Sequence, residues 1–134
     1  MQITDTPIAD LKIISPDVFA DKRGFFTELY NEERYRSLGI TNKFVQDNLS
    51  CYGVVRGLHF QRGSSAQAKL VQVIMGKVWD VAVDLRPGSA TYGQWYGVEL
   101  SGDNHLQYLI PRGFAHGFSV LSDIAIFSYK CDNL

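Results

Sequence analysis

Two segments set an imidazole among glycines: Arg56-Gly57-Leu58-His59-Phe60-Gln61 and Pro111-Arg112-Gly113-Phe114-Ala115-His116-Gly117-Phe118. Glycine lets another chain or a ligand come close to the backbone, and a histidine with an ordinary pKa of about 6.5 offers a neutral, basic nitrogen near neutral pH. That pairing suits proton transfer or hydrogen bonding. It suits a metal less well, since a catalytic metal site commonly takes three protein ligands and an open position. After His59 no acidic residue follows until Asp80, and His105 stands in a polar turn that reads as surface. The expectation is therefore no metal.

The elements that must hold these imidazoles read as strands. Val, Ile, Tyr, Phe and Trp gather in short runs broken by Gly, Pro, Asn, Asp and Ser, the pattern of many short strands. The runs place strands over Leu11–Ser15, Phe25–Tyr30, Phe44–Cys51, Val54–Gln61, Lys69–Met75, Lys77–Arg86, Trp95–Ser101, Gln107–Ile110, Ala115–Leu121 and Ala125–Lys130. Gly76-Lys77 splits two apolar runs as a tight hairpin does. One helix is expected over Asn31–Leu38, with Asn31 as cap, Glu32 and Glu33 in the first turn and Gly39 as terminator. The fold class is all-β: a sandwich or barrel of about ten short strands with one short helix.

The run Lys77–Arg86 constrains the geometry most. Alternation puts Trp79, Val81, Val83 and Leu85 on one face and Val78, Asp80, Ala82 and Asp84 on the other. The acidic face is either solvated or turned into a lumen that holds a ligand, where its charges need partners.

The chain has 134 residues with 13 basic and 14 acidic side chains, a net charge of −1. One domain over 1–134 is expected, long enough to bury a core without staples. Near-neutral charge argues against a nucleic-acid partner, which needs a basic face. No apolar run approaches the roughly 20 residues that span a bilayer, and MQITDTPIADLK lacks the pattern of a signal peptide. No membrane association and a cytoplasmic location are expected. Cys51 and Cys131 stand in no metal or redox motif and read as reduced.

The second imidazole segment resembles the cupin pattern, in which Pro-x-Gly turns the chain and a later His points into a small β-barrel. The first departs from that pattern, because Gln61 stands where a second His belongs. The resemblance implies a cupin-like jelly-roll barrel. Six blocks in order resemble the dTDP-4-dehydrorhamnose 3,5-epimerase family more closely: Asp21–Glu28, Phe44–Asn48, Arg56–Gln61, Lys69–Val71, Asp80–Arg86 and Ile110–Phe118.

Membership implies inversion of C3 and C5 of dTDP-4-dehydro-6-deoxy-D-glucose beside its C4 ketone, with no cofactor. By the same resemblance His59 is the proton-abstracting base and Tyr129 reprotonates from the opposite side. Lys69 stabilises the enolate oxygen. Arg23, Glu28, Gln46, Asp47, Asn48, Arg56 and His116 match positions that line the sugar-nucleotide site. Regular alternation puts Arg56 and His59 on opposite faces, so both reach one ligand only with a bulge at Gly57 or across a subunit interface. Asp80 and Asp84 both face the presumed lumen, with Asp84 the favoured orienter of a site histidine.

Family members continue beyond the position of Leu134, and the absent part would carry an aspartate that pairs with the catalytic histidine. The resemblance implies a homodimer with exchanged N-terminal segments. Three further readings stay open: a single-site 3- or 5-epimerase, a catalytically impaired sugar-nucleotide-binding form, and a metal-dependent cupin.

Overall fold

The computed structural model describes residues 1–54, 57–60 and 66–134. Two sheets face each other. The larger runs in the order β1 (Gln2–Asp5), β2 (Lys12–Ser15), β10 (Gln107–Ile110), β7 (Lys69–Met75), β12 (Ile124–Cys131), β5 (Gln46–Gly53). The smaller runs β6 (His59–Phe60), β11 (Phe114–Val120), β8 (Lys77–Asp84), β9 (Trp95–Ser101). All the pairings in both are antiparallel. Neighbours distant in sequence cross between the sheets, as in a jelly roll. A separate hairpin, β3 (Val18–Asp21) with β4 (Gly24–Thr27), pairs with neither sheet among the described residues.

The inner faces supply the main core, which includes Val71, Val73, Val78, Ala82, Leu100, Tyr108, Phe114, Phe118 and Phe127. Each buried Val, Leu or Phe among them contributes about 1.5–3 kcal/mol by leaving water. The outer face of the larger sheet is covered in part by α1 (Glu32–Ser37), which sets Tyr35 against Ile14, Ile40, Leu70 and Leu109. Asn31 caps this helix by accepting from the Arg34 amide, as its sequence foretells. The Tyr35 hydroxyl lies 2.6 Å from Gln107 Oε1, and burial pushes its pKa up to about 12.

The strands β7, β9 and β10 keep the bounds read from sequence. Two short strands, β1 and β3, were not legible as runs, which raises the expected ten to twelve among the described residues. The expected strand over Val54–Gln61 contracts to His59–Phe60. Gly57 has a φ of +75°, in the left-handed region that interrupts a ladder, while Val55, Arg56 and Gln61 lie outside the described residues. Between β7 and β8, Gly76 has φ +89° and a Cβ there would stand 2.1 Å from the Ile124 carbonyl oxygen, so only glycine closes this turn. No helix among the described residues is long and apolar enough to cross a membrane.

Candidate active site

β8 runs through the middle of the smaller sheet with its acidic face turned inward. Asp80 and Asp84 are both fully buried, as a lumen-facing reading of the alternation requires. On the neighbouring strand His116 pairs with Ala82, so the two carboxylates flank it at equal register. Their fates differ. Asp80 lies 2.8 Å from His116 Nε2. Asp84 is captured instead by the turn after β8: Arg86 Nε and Nη2 at 3.0 Å, Ser89 Oγ at 2.6 Å and Thr91 Oγ1 at 2.5 Å.

The expectation that Asp84 orients a histidine is thus corrected, and Asp80 takes that place. Arg86 explains the difference, because it reaches Asp10 Oδ2 at 3.1 Å from the same guanidinium and fixes Asp84 to the chain's own N-terminal turn. Those donors hold the Asp84 carboxyl well below the usual carboxylate range. Burial has the opposite effect at Asp80 and raises its pKa, against the pull of His116 and Lys69.

An ionised carboxylate only accepts, so Asp80 draws the imidazole proton to Nε2 and leaves Nδ1 to face elsewhere. Nδ1 has no hydrogen-bond partner among the described residues, although His116 is only 7% exposed. His116 borders a small cavity between the sheets that is also lined by Ser50, Tyr52, Lys69, Val71, Phe127 and Tyr129. Pairing explains the gathering: β12 lies between β5 and β7, and sets Tyr129 beside Asn48 on one side and Val71 on the other. Lys69 enters from the start of β7, opposite Cys131.

His59 belongs to the same inner face. It pairs with Phe118, whose ring is buried in the core, and cross-strand partners share a face. Phe60 therefore turns outward and lays its ring against Gly117, where a Cβ would come within 2.9 Å. β6 is an edge strand, and His59 is exposed there on the same inner face of the sheet as His116.

The other expected site residues divide. Asn48 shares the inner face of β5 with Ser50, and its amide donates to Gln46 Oε1 at 3.1 Å. Asp47 turns the other way and pairs with Lys130 on the outer face of the larger sheet, so its expected place in the site is corrected. Arg23 lies on the β3–β4 hairpin, paired with Asp21 at 2.7 Å, and Glu28 faces Arg34 at 3.4 Å. Neither is brought to the cavity within one chain. Arg56 lies outside the described residues. Ser50 and Tyr52 were missed, though alternation from Asn48 along one strand points to both.

The cavity thus offers a cation, a carboxylate-bound imidazole and a phenol, and a second imidazole lies on the same inner face of the smaller sheet. That set can take a proton from carbon, stabilise the resulting oxyanion and return a proton.

The profile of the dTDP-4-dehydrorhamnose 3,5-epimerase family matches residues 5–134. The dTDP-4-dehydrorhamnose 3,5-epimerase of Escherichia coli (strain K12) is 54% identical over 136 aligned positions, covering 99% of this chain and 74% of that protein. Among solved structures, the dTDP-6-deoxy-D-glucose-3,5-epimerase of Legionella pneumophila in complex with dTDP-4-keto-L-rhamnose superposes with a TM-score of 0.92 at 51% identity. It covers 99% of this chain and 72% of its own. The dTDP-4-dehydrorhamnose 3,5-epimerase of Elizabethkingia anophelis gives a TM-score of 0.85 at 58% identity, over 100% of this chain and 75% of that one.

Proposed function

Because this chain belongs to the dTDP-4-dehydrorhamnose 3,5-epimerase family, we propose that it inverts C3 and C5 of dTDP-4-dehydro-6-deoxy-D-glucose to give dTDP-4-dehydro-L-rhamnose. The observation that carries the reading is the convergence of Lys69, His116 and Tyr129 on one cavity, with His59 on the same inner face of the smaller sheet as His116.

The C4 ketone makes the protons on C3 and C5 acidic, so the reaction needs a base, an oxyanion partner and an acid. In this reading His59 takes the proton, the C–H electron pair becomes a C=C bond to C4, and the C4=O π pair moves to the oxygen to give an enolate. The Lys69 ammonium stabilises that charge, and a fixed cation in a partly dry site is worth more than one in water. The Tyr129 hydroxyl then gives its proton to the opposite face of the carbon. The enolate collapses to the ketone, and solvent exchange returns His59 and Tyr129 to their starting states. His116, with its tautomer set by Asp80, holds a polar group of the sugar through Nδ1. Replacing His59 by Asn tests the assignment: loss of C3 and C5 exchange by about 10²–10⁴, with the circular dichroism of the wild type, is expected. Full exchange in that variant would overturn it.

The enzyme acts as a homodimer in this reading, and no nucleic acid or membrane takes part. The β3–β4 hairpin exposes Phe19, Phe25 and Phe26 at 61–68%, and an isolated two-stranded hairpin is marginal in water. Beside it, Phe25, Phe26, Leu29 and Ile74 line a groove of about 310 Å³ on the outer face of the larger sheet. A second copy would cover both, and would receive Arg23 from the hairpin near its own cavity. Both cysteines are free, which suits a reducing, cytoplasmic compartment.

A further inference from the structure

Asp47 and Lys130 touch none of the groups that handle protons, yet they stand one rung from Tyr129. β12 and β5 pair Tyr129 with Asn48 and, at the next position, Lys130 with Asp47. Alternation sends the first pair to the inner face, where Tyr129 borders the cavity, and the second to the outer face. There the Lys130 ammonium donates to Asp47 Oδ1 and lies 5.0 Å from the centroid of the Tyr30 ring. Tyr30 in turn meets the rings of Tyr35 and Phe44 edge to face, with centroids 4.8 and 5.5 Å away. Lys130 is thus gripped both by β5 and by the segment that leads into α1, and its side chain is only 23% exposed.

The other side of β12 is less regular. Its pairing with β7 slips by one residue between Ile126 and Phe127, just before Tyr129. A pleated strand is stiff, so a side chain held on one face limits the roll of its neighbour on the other. Any roll here would swing the Tyr129 hydroxyl away from Lys69 and His116 across the cavity. The carboxylate of Asp47 is 73% exposed, and an exposed ion pair contributes little to stability, so what this pair supplies is direction. We propose that Asp47 and Lys130 form a clamp on the outer face of the larger sheet that positions Tyr129 for proton return, acting through the backbone of β12 and not on the substrate. The inference rests on the epimerase reading and gives Asp47 a positioning role in place of the ligand contact expected from sequence. Proton removal by His59 does not pass through this clamp, because β6 belongs to the smaller sheet.

The test follows dTDP-4-dehydro-6-deoxy-glucose by proton NMR in deuterated buffer and takes the ratio of C3 and C5 exchange to inverted product. Lys130→Met keeps the length of the side chain and removes its charge. A misplacement of about 1 Å can cost about 100-fold in rate, and with one of several anchors gone inversion should fall about tenfold while exchange falls no more than about twofold. Asp47→Asn should shift the ratio in the same direction, and the double variant should shift it no further than Lys130→Met alone, as for two residues that act as a unit. Lys130→Arg keeps the ion pair and the contact with Tyr30 and should retain the ratio of the unaltered protein. Asp47→Asn changes an exposed side chain and keeps the fold, so it decides the matter if Lys130→Met does not fold. An unchanged ratio in Asp47→Asn overturns the inference, and so does an equal loss of exchange and inversion, while the epimerase reading stands in both cases. Neither exchange nor inversion by the unaltered protein overturns the epimerase reading and this inference together.

Discussion

Replacing Asp80 by Asn separates what the buried carboxylate does for stability from what it does for His116. Asp80 is fully buried and touches an imidazole that is 7% exposed. Truncation to Ala would strand a buried N–H beside a hole, at a cost of about 3–5 kcal/mol. For a chain of this size that is a fall in Tm of roughly 10–20 °C. Asn keeps the shape, and its amide oxygen still accepts from Nε2, so the baseline change is about 1 kcal/mol.

The pH dependence carries the sharper test. Burial raises the Asp80 pKa, so the native state holds this proton more tightly than the unfolded chain does. Wild-type stability from this group is then full below the unfolded value of about 4, and declines as pH rises through the raised native value. Asn has no proton to lose. Denaturant titrations at pH 4, 6 and 8 should therefore show Asp80→Asn improving relative to wild type as pH rises. At neutral pH its kcat should fall about 10- to 100-fold with a displaced pH–rate profile, as expected for a residue that positions another. A deficit in stability that deepens from pH 4 to pH 8 would refute the reasoning, because attraction to His116 would then outweigh desolvation.

Three other expectations follow from the same geometry. Tyr129→Phe should leave measurable proton removal from C3 and C5 while inverted product collapses, read by proton NMR of substrate and product; equal loss of both would count against Tyr129 as the acid. Asp84, held low by Arg86, Ser89 and Thr91, contributes stability above pH 4 that is lost on acidification. Asp84→Asn should cost about 2–3 kcal/mol at pH 7, with the deficit shrinking below pH 4 in denaturant titrations; a deficit independent of pH would rule out the ion pairing as its source. Light scattering should give the mass of two chains, and Phe19→Ser with Phe26→Ser should shift it toward one; a monomeric wild type would contradict the exchanged-hairpin dimer.

Much of this was legible before any coordinates. The alternation along Lys77–Arg86 already set Asp80 and Asp84 on one face, leaving open whether that face met solvent or a lumen, and the Gly76 turn already separated β7 from β8. The choice between the two carboxylates was not legible, because His116 faces Ala82 midway between them and only the turn that seizes Asp84 breaks the tie. That turn left a trace in Arg86, Ser89 and Thr91, three donors within seven residues of Asp84. The strands β1 and β3 escaped notice because burial does not mark them: β1 has one apolar residue, Ile3, and every residue of β3 is exposed. Asp47 was misplaced for another reason. A motif groups neighbours in sequence, whereas a strand sends Asp47 and Asn48 to opposite faces.

The central claim is that these side chains move protons at two carbons flanking a ketone. Proton NMR of dTDP-4-dehydro-6-deoxy-glucose in deuterated buffer tests it directly. Loss of both the C3 and the C5 signals on adding the protein is the predicted result, and persistence of both signals alongside tight binding of dTDP would contradict it.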